Sequence, residues 1–473
     1  MTQTIEALRA RYGARHKWLV LLTVMIGTMA SILSSTIVNV AIPDLSAHFQ
    51  LGQERAQWVS AGFMLAMTMS MLTTPWLLLR YGLRRTYTVA IVVLLVGGVI
   101  GGFSVNYSML LSMRVLEGLA SGILQPIPAI VILRAFDLKE QGKAMGIFGF
   151  GVVLAPAIGP SVGGVLVEHF GWRSIFFVVV PFCLTVLFLI RRFLSVNSPM
   201  MGDARTLDWR GLLLAGACTV SLLNGLVHLH DDVTLGCVLL VFGLAAFVGF
   251  IYWQRRCVAP LVNLTLFGYR QFAMGALVAF IYGMALFGST YLLPVYLQMG
   301  LAYAPSRAGL VLLPAGIVLA VTIVLAGKMT DRCPPNVLVS TGLALLALSF
   351  GLMAFGTVAT SYLQLMAWAV IGRIGLGFVL PALSLGAMRG LDTALIAQGA
   401  STINFLRQLG GAIGVSLVGI VLEWRLATHR VDLSSVGEQM TQRIRAFDET
   451  FWFVALLCGI AVVAAWRMRP APE

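Results

Sequence analysis

Apolar stretches of about 20 residues, each long enough to cross a hydrocarbon core as a helix, recur from residue 18 to residue 467 with short polar connections between them. Within lipid, every backbone N–H and C=O must be satisfied, which leaves only helices and closed barrels. Barrel strands would alternate apolar and polar residues over short segments; these stretches are apolar throughout and are read as helices. With 59% hydrophobic and only 11% charged residues, the composition has no counterpart among soluble globules. The fold class expected is an all-α polytopic membrane protein.

Crossings are placed near 18–41, 57–79, 86–103, 108–133, 144–167, 174–191, 210–229, 234–253, 272–298, 308–327, 336–357, 361–388, 400–423 and 450–467, giving fourteen transmembrane helices. With the N-terminus cytoplasmic, 22 of the 32 Lys and Arg fall in cytoplasmic segments and only 7 in external loops. That bias sets the orientation, with both termini cytoplasmic and a multi-pass location in the cell inner membrane. The net charge of +13 therefore reports topology, and no nucleic acid is expected as partner. The apolar run after the basic residues Arg9, Arg11, Arg15 and Lys17 is too long for a signal-peptide core, so it is read as the first crossing, with no cleaved signal. Six cysteines form no CxxC pair, and neither a disulfide framework nor a metal site is indicated. No cofactor is expected.

An internal repeat relates the first six and last six crossings. Crossing 2 ends at Leu79-Arg80 and crossing 10 at Asp331-Arg332, while crossing 4 carries Arg114 and crossing 12 carries Arg373. The run from Ala157 to Gly163 (AIGPSVG) is echoed from Ala412 to Gly419 (AIGVSLVG). Such order implies two related six-helix bundles, with a solute site near the midplane where they meet. The expected organisation is a cytoplasmic N-terminus (1–17), an N-terminal bundle (18–192), a linker (193–209), a two-helix insert (210–254), a second linker (255–271), a C-terminal bundle (272–468) and a cytoplasmic tail (469–473). Monomeric behaviour is expected.

Of the 19 acidic residues, only Glu117 sits well inside an apolar crossing, three residues after Arg114 on the same helical face. An ionisable group near the bilayer centre costs about 2.5–3.5 kcal/mol on insertion scales, so a chain that keeps one there has a buried pair or a functional site. Two readings stand: a structural pair in which each charge neutralises the other, or a carboxylate that changes protonation during a cycle. The stretch from Gly149 to Gly164 (GFGVVLAPAIGPSVGG) combines close-packing glycines with Pro156 and Pro160, a composition suited to a bent, closely packed pivot. The turn from Pro75 to Arg85 holds Arg80, Arg84 and Arg85, which either latch onto carbonyls and acids of neighbouring loops or only obey the positive-inside rule. Arg407 with Asn404 and Gln408 makes a polar cluster expected to line the interior. Trp58, Phe63, Tyr282, Tyr291, Tyr296 and Phe405 are candidates for a cavity wall, although packing or an interfacial belt accounts for each one singly. His228, His230, Asp231 and Asp232 are read as a solvated loop rather than a metal site.

Taken in order and spacing, these residues resemble the major facilitator superfamily, specifically the fourteen-span drug:proton antiporter branch of EmrB/QacA type. The resemblance is carried by Thr36 to Pro43 (TIVNVAIP), Arg80-x-Gly82, Arg114 to Gly118 (RVLEG), Gly159-Pro160-x-x-Gly163-Gly164 and Trp172-Arg173-x-Ile-Phe-Phe. It continues through Asp208-Trp209-x-Gly211, Tyr291 to Gln298 (YLLPVYLQ) and Arg407-Gln408-Leu-Gly410-Gly411, covering nearly the whole chain. It implies alternating access between two bundles, with proton entry driving export of a small lipophilic or amphipathic solute. Under it Arg114 matches the proton-transfer arginine, with Glu117 beside it. Gly159, Pro160, Gly163 and Gly164 match the antiporter bend, and Arg80, Gly82 and Arg84 the gating turn. Asp331 and Arg332 repeat that turn in the second half. Ser34, Asn39, Gln125, Tyr282, Tyr291, Asn404 and Arg407 are the expected cavity residues. Relatives in this branch often work with a periplasmic adaptor and an outer-membrane channel.

The chain departs from the pattern in ways that bear on coupling. The usual acid of crossing 1 is Ser34, the acid of the first cytoplasmic turn is Leu79, one arginine of that turn is Leu83, and Pro334 replaces a glycine of the second turn. Glu117 stands where the family often has glutamine. Three functions are therefore compared: a proton-coupled multidrug exporter with Glu117 as its switch, an exporter of amphipathic anions or a fatty-acid-like metabolite, and a sensor that keeps the transporter scaffold. Catalysis is not expected, since no crossing pairs a nucleophile with a base.

Overall fold

A computed structural model describes residues 5–195, 206–431 and 440–469; parts of the expected linker, of the loop before the last crossing and of the tail lie outside these. Among the described residues the chain is helical, with no strand. Its helices are α1 Ile5–Tyr12, α2 His16–His48, α3 Gln53–Met71, α4 Thr74–Gly102, α5 Tyr107–Leu124, α6 Ile127–Ala135, α7 Gln141–Phe170, α8 Ser174–Phe177 and α9 Val179–Phe193. They continue as α10 Trp209–Asp231, α11 Val233–Arg256, α12 Arg270–Val295, α13 Pro305–Thr330, α14 Pro335–Met353, α15 Tyr362–Gly386, α16 Ile396–Thr428 and α17 Met440–Trp466.

Thirteen helices among the described residues are long and apolar enough to cross a membrane. The remaining expected crossing, 57–79, is divided between α3 and the first turns of α4. The chain pauses at Leu72 and Thr73, and the reversal comes at Gly82, whose φ of 73° and ψ of 169° interrupt the helix inside α4. A side chain is strained at that φ, so the glycine makes the turn after Arg80 possible. Exposed apolar side chains such as Leu213, Val241, Phe242 and Leu456 present the surface that lipid, not water, would cover.

The chain divides into two compact units. One comprises Met1–Leu213, Trp253–Asn263 and Asp392–Phe405; the other comprises Leu214–Tyr252, Leu264–Leu391 and Leu406–Glu473. In the first, α7 approaches α2 through glycines: a Cβ on Gly159 would lie 2.8 Å from Thr36 Oγ1, and one on Gly163 2.7 Å from Ile37 Cγ1. In the second, α16 lies on α12 in the same manner. A Cβ on Gly410 would meet the Phe280 carbonyl at 2.1 Å, and one on Gly414 the Met284 Cα at 2.4 Å. Small residues allow this backbone approach in lipid, where no hydrophobic force drives helices together. The glycine shared by the AIGxS echo, Gly159 in α7 and Gly414 in α16, stands in each unit against a neighbouring helix, α2 and α12 respectively.

The Asp208-Trp209-x-Gly211 motif has a structural role. Asp208 caps α10 by accepting from the Gly211 N–H at 2.8 Å, and it also accepts from Trp253 Nε1 and Gln254 Nε2 at 2.8 Å each. It ties the start of α10 to the end of α11, and the Arg210 guanidinium covers the Trp253 ring at 5.0 Å.

Candidate functional site

Arg114 and Glu117 lie one turn apart on α5, a helix that begins at Asn106, whose side chain accepts from the Met109 N–H at 2.8 Å. Both are buried, with exposures of 0% and 1%. Arg114 Nη1 donates to Glu117 Oε2 and, at 3.1 Å, to Ser34 Oγ; Ser34 Oγ in turn donates to Glu117 Oε2 at 3.4 Å. Arg114 Nε donates to the Val59 carbonyl at 3.3 Å, and the guanidinium lies 4.2 Å from the centre of the Phe63 ring. One guanidinium therefore joins α5 to α2 and α3. Its Nη2 is buried without a hydrogen-bond partner among the described residues.

Glycines make the room for this cluster. On α4, a Cβ at Gly97 would lie 2.7 Å from Glu117 Cγ, and one at Gly98 3.3 Å from Glu117 Oε1. On α5 itself, Gly118 and Gly122 bring α3 into backbone contact: added Cβ atoms would meet the Phe63 carbonyl at 2.3 Å and the Met67 carbonyl at 2.0 Å. The Gly97-Gly98-x-x-Gly101-Gly102 run was the available sequence signal for the first pair.

Ser34, the position of the missing family acid, therefore touches both members of the buried pair. Phe63, a candidate for the cavity wall, is instead fully buried under Arg114. Elsewhere in the first unit, Asn39 is exposed and accepts from Ser60 Oγ at 2.7 Å. Gln125 is half-buried at the break between α5 and α6, and Asn404 donates to the Ala400 carbonyl at 2.9 Å.

In the second unit, Tyr282 is buried and donates to the Leu376 carbonyl at 3.3 Å. Its hydroxyl also interacts electrostatically with Arg373 and Arg407, both half-buried. Tyr291 is 38% exposed. Tyr296, by contrast, is fully buried against Phe447 and Phe451, with ring centres 5.4 and 5.2 Å away.

The expected gating residues lie on α4 and α7 and at the end of α13. Arg80 lies near the Trp76 and Tyr81 rings, Gly82 makes the reversal, and Arg84 is half-buried with its carbonyl accepting from Thr88 Oγ1 at 2.7 Å. Asp331 caps the end of α13, and Arg332 is exposed. Gly159 and Gly163 face α2, Pro160 is exposed, and a Cβ on Gly164 would meet nothing within 4 Å. Helix α7 continues unbroken through both prolines. Among the described residues no group of three His, Cys, Asp or Glu is placed to hold a metal. His228 instead contacts the Asn224 carbonyl, and Asp232 caps α11 at Leu235 N; the side chains of His230 and Asp231 lie outside the described residues.

Comparison with known proteins places this geometry in a context. The Major Facilitator Superfamily profile matches residues 24–415. A multidrug resistance protein B homolog of Mycobacterium tuberculosis (strain ATCC 25618 / H37Rv) is 30% identical over 399 residues, covering 82% of this chain and 73% of the relative. Lincomycin resistance protein LmrB of Listeria innocua serovar 6a (strain ATCC BAA-680 / CLIP 11262) is 26% identical over 449 residues, covering 93% and 94%. The solved structure of the proton:xylose symporter XylE bound to 6-bromo-6-deoxy-D-glucose superposes with a TM-score of 0.67 over 96% of both chains, at 12% identity, a likeness of fold.

Proposed function

Since the chain belongs to the major facilitator superfamily, an assignment resting on the match over residues 24–415, we propose that it is a proton-coupled exporter of lipophilic or amphipathic compounds, with Glu117 as the protonation site. We place it in the fourteen-span drug:proton antiporter branch, as a monomer in the cell inner membrane with both termini cytoplasmic. The relatives named for resistance support efflux as the direction of transport. The observation that carries the coupling is the buried Arg114–Glu117–Ser34 cluster. A wholly structural ion pair is easily replaced by apolar packing at similar stability, so its retention at a helix junction favours a working role.

The chemistry follows from the contacts. An ionised Glu117 holds the Arg114 guanidinium by charge and accepts from Ser34, tying α5 to α2. A proton on Glu117 removes the charge attraction, and the grip on α2 through Ser34 weakens. Thr36, two residues beyond Ser34, faces Gly159 of α7, so the released helix is the one that bears on the antiporter bend. The arriving proton and the outgoing solute thus favour different states, as exchange requires.

The test is flux in proteoliposomes. The native chain should accumulate a lipophilic solute when a pH gradient is imposed and stop when a protonophore collapses it. Equal flux with and without the gradient would defeat the coupling.

A further inference from the structure

Helix α16 is shared between the two units. Its first ten residues, 396–405, belong to the first unit together with the loop from Asp392, and the remainder, from Leu406, belongs to the second. The repeat by itself would assign the whole helix to the C-terminal half. The other late segment in the first unit, Trp253–Asn263, is the end of α11 with the linker that follows the insert.

Hydrogen bonds join these two segments to each other and to the foot of the insert. Gln254 is buried and uses both ends of its amide: Nε2 donates to Asp208 Oδ2 at 2.8 Å, and Oε1 accepts from the Val262 N–H at 3.3 Å. The linker is thereby fixed on the insert, with Leu261 and Val262 buried. Beside them the Pro260 carbonyl accepts from Gln398 Nε2 of α16 at 3.4 Å. Just before α16 begins, the Thr393 carbonyl accepts from Arg134 Nη2, at the end of α6, at 3.0 Å.

The two holds on α16 differ in strength. In the second unit it meets α12 backbone to backbone: Cβ atoms on Gly410 and Gly414 would lie 2.1 Å from the Phe280 carbonyl and 2.4 Å from the Met284 Cα. In the first unit the Gln398 hydrogen bond is long. One turn further on, the Ser401 and Thr402 hydroxyls, 1% and 2% exposed, have no hydrogen-bond partner among the described residues. A buried hydroxyl without a partner carries a desolvation cost that nothing offsets, and it recovers hydration when its seat opens. Of two holds on one helix, the weaker yields first.

We propose that the two-helix insert is a brace: through Asp208, Gln254 and the linker at Pro260 it holds the first turns of α16 in the N-terminal unit, and this seat, not the α12 contact, is the one that opens. The brace gives α10 and α11 a conformational role that the export reading does not supply, and it is read without any solute.

The test is hydrogen–deuterium exchange by mass spectrometry on the full chain in nanodiscs, following residues 257–263 and 392–402, with α5 as the reference. Gln254→Leu keeps the bulk of the side chain and removes both amide contacts. It should speed exchange about two- to tenfold in 257–263 and, far along the chain, in 392–402 as well, leaving α5 at its native rate. Gln398→Leu should loosen the same two segments, since coupling between contacts is reciprocal. Ser401→Ala removes an unpartnered hydroxyl and should slow exchange in 392–402, a direction that general loosening does not produce. Gln398 is only half-buried, so its variant carries the test if Gln254→Leu does not fold. Native exchange in 392–402 for Gln254→Leu, native exchange in 257–263 for Gln398→Leu, or faster exchange in 392–402 for Ser401→Ala overturns the proposal.

Discussion

Moving the acid from position 117 to position 34 tests whether coupling depends on a carboxylate at this guanidinium or on the rest of helix α5. Glu117→Gln keeps the shape and hydrogen-bonding capacity of the side chain and removes its charge and its proton. One inward proton across 100 mV and one pH unit supplies together about 3.7 kcal/mol, a ceiling on the order of 500-fold for a neutral solute exchanged one for one. In Glu117→Gln that ceiling should fall to equilibration, with no accumulation. Ser34 Oγ stands 3.1 Å from Arg114 Nη1, so an aspartate there reaches the same guanidinium. The double variant Ser34→Asp with Glu117→Gln should regain gradient-driven accumulation in proteoliposomes. Native accumulation by Glu117→Gln alone would refute the reasoning.

Three further outcomes follow from packing. Arg114→Met strands Glu117 as a buried charge and should cost about 3–5 kcal/mol in thermal unfolding, while adding Glu117→Met should recover most of that stability. Gly122→Ala sets a Cβ 2.0 Å from the Met67 carbonyl and should destabilise by about 1–3 kcal/mol, seen as a lowered unfolding temperature in detergent. Asp208→Ala leaves the Gly211 N–H, Trp253 Nε1 and Gln254 Nε2 without their acceptor; a loss of about 1.5–3 kcal/mol per charged contact should appear as faster proteolysis near the ends of α10 and α11.

Hydropathy made the membrane helices legible because a bilayer demands long apolar runs, and it hid whatever happens inside a run. The pause at Leu72–Thr73 and the interruption of α5 and α6 at Gln125–Pro126 leave the apolar character unchanged, so hydropathy reads each as one continuous crossing. The Arg114–Glu117 pair was readable from its spacing on one helix. Its contact with Ser34 was not, since α2 and α5 meet only in the tertiary fold; in the sequence the substitution at 34 is a lost acid, and in the fold it stands beside Glu117. Tyr282, Arg373 and Arg407 sit on three helices far apart in sequence, and no local pattern announces that they share a neighbourhood. Phe63 looked like a cavity aromatic by type, whereas burial under a guanidinium is a matter of packing.

The most direct test of the central claim counts protons. A transported lipophilic solute is titrated onto the purified chain in weakly buffered nanodiscs with a pH indicator present. The native protein should release about one proton per solute bound at a pH where Glu117 is protonated in the solute-free state, and Glu117→Gln should release none. Equal release from the two proteins would contradict the account.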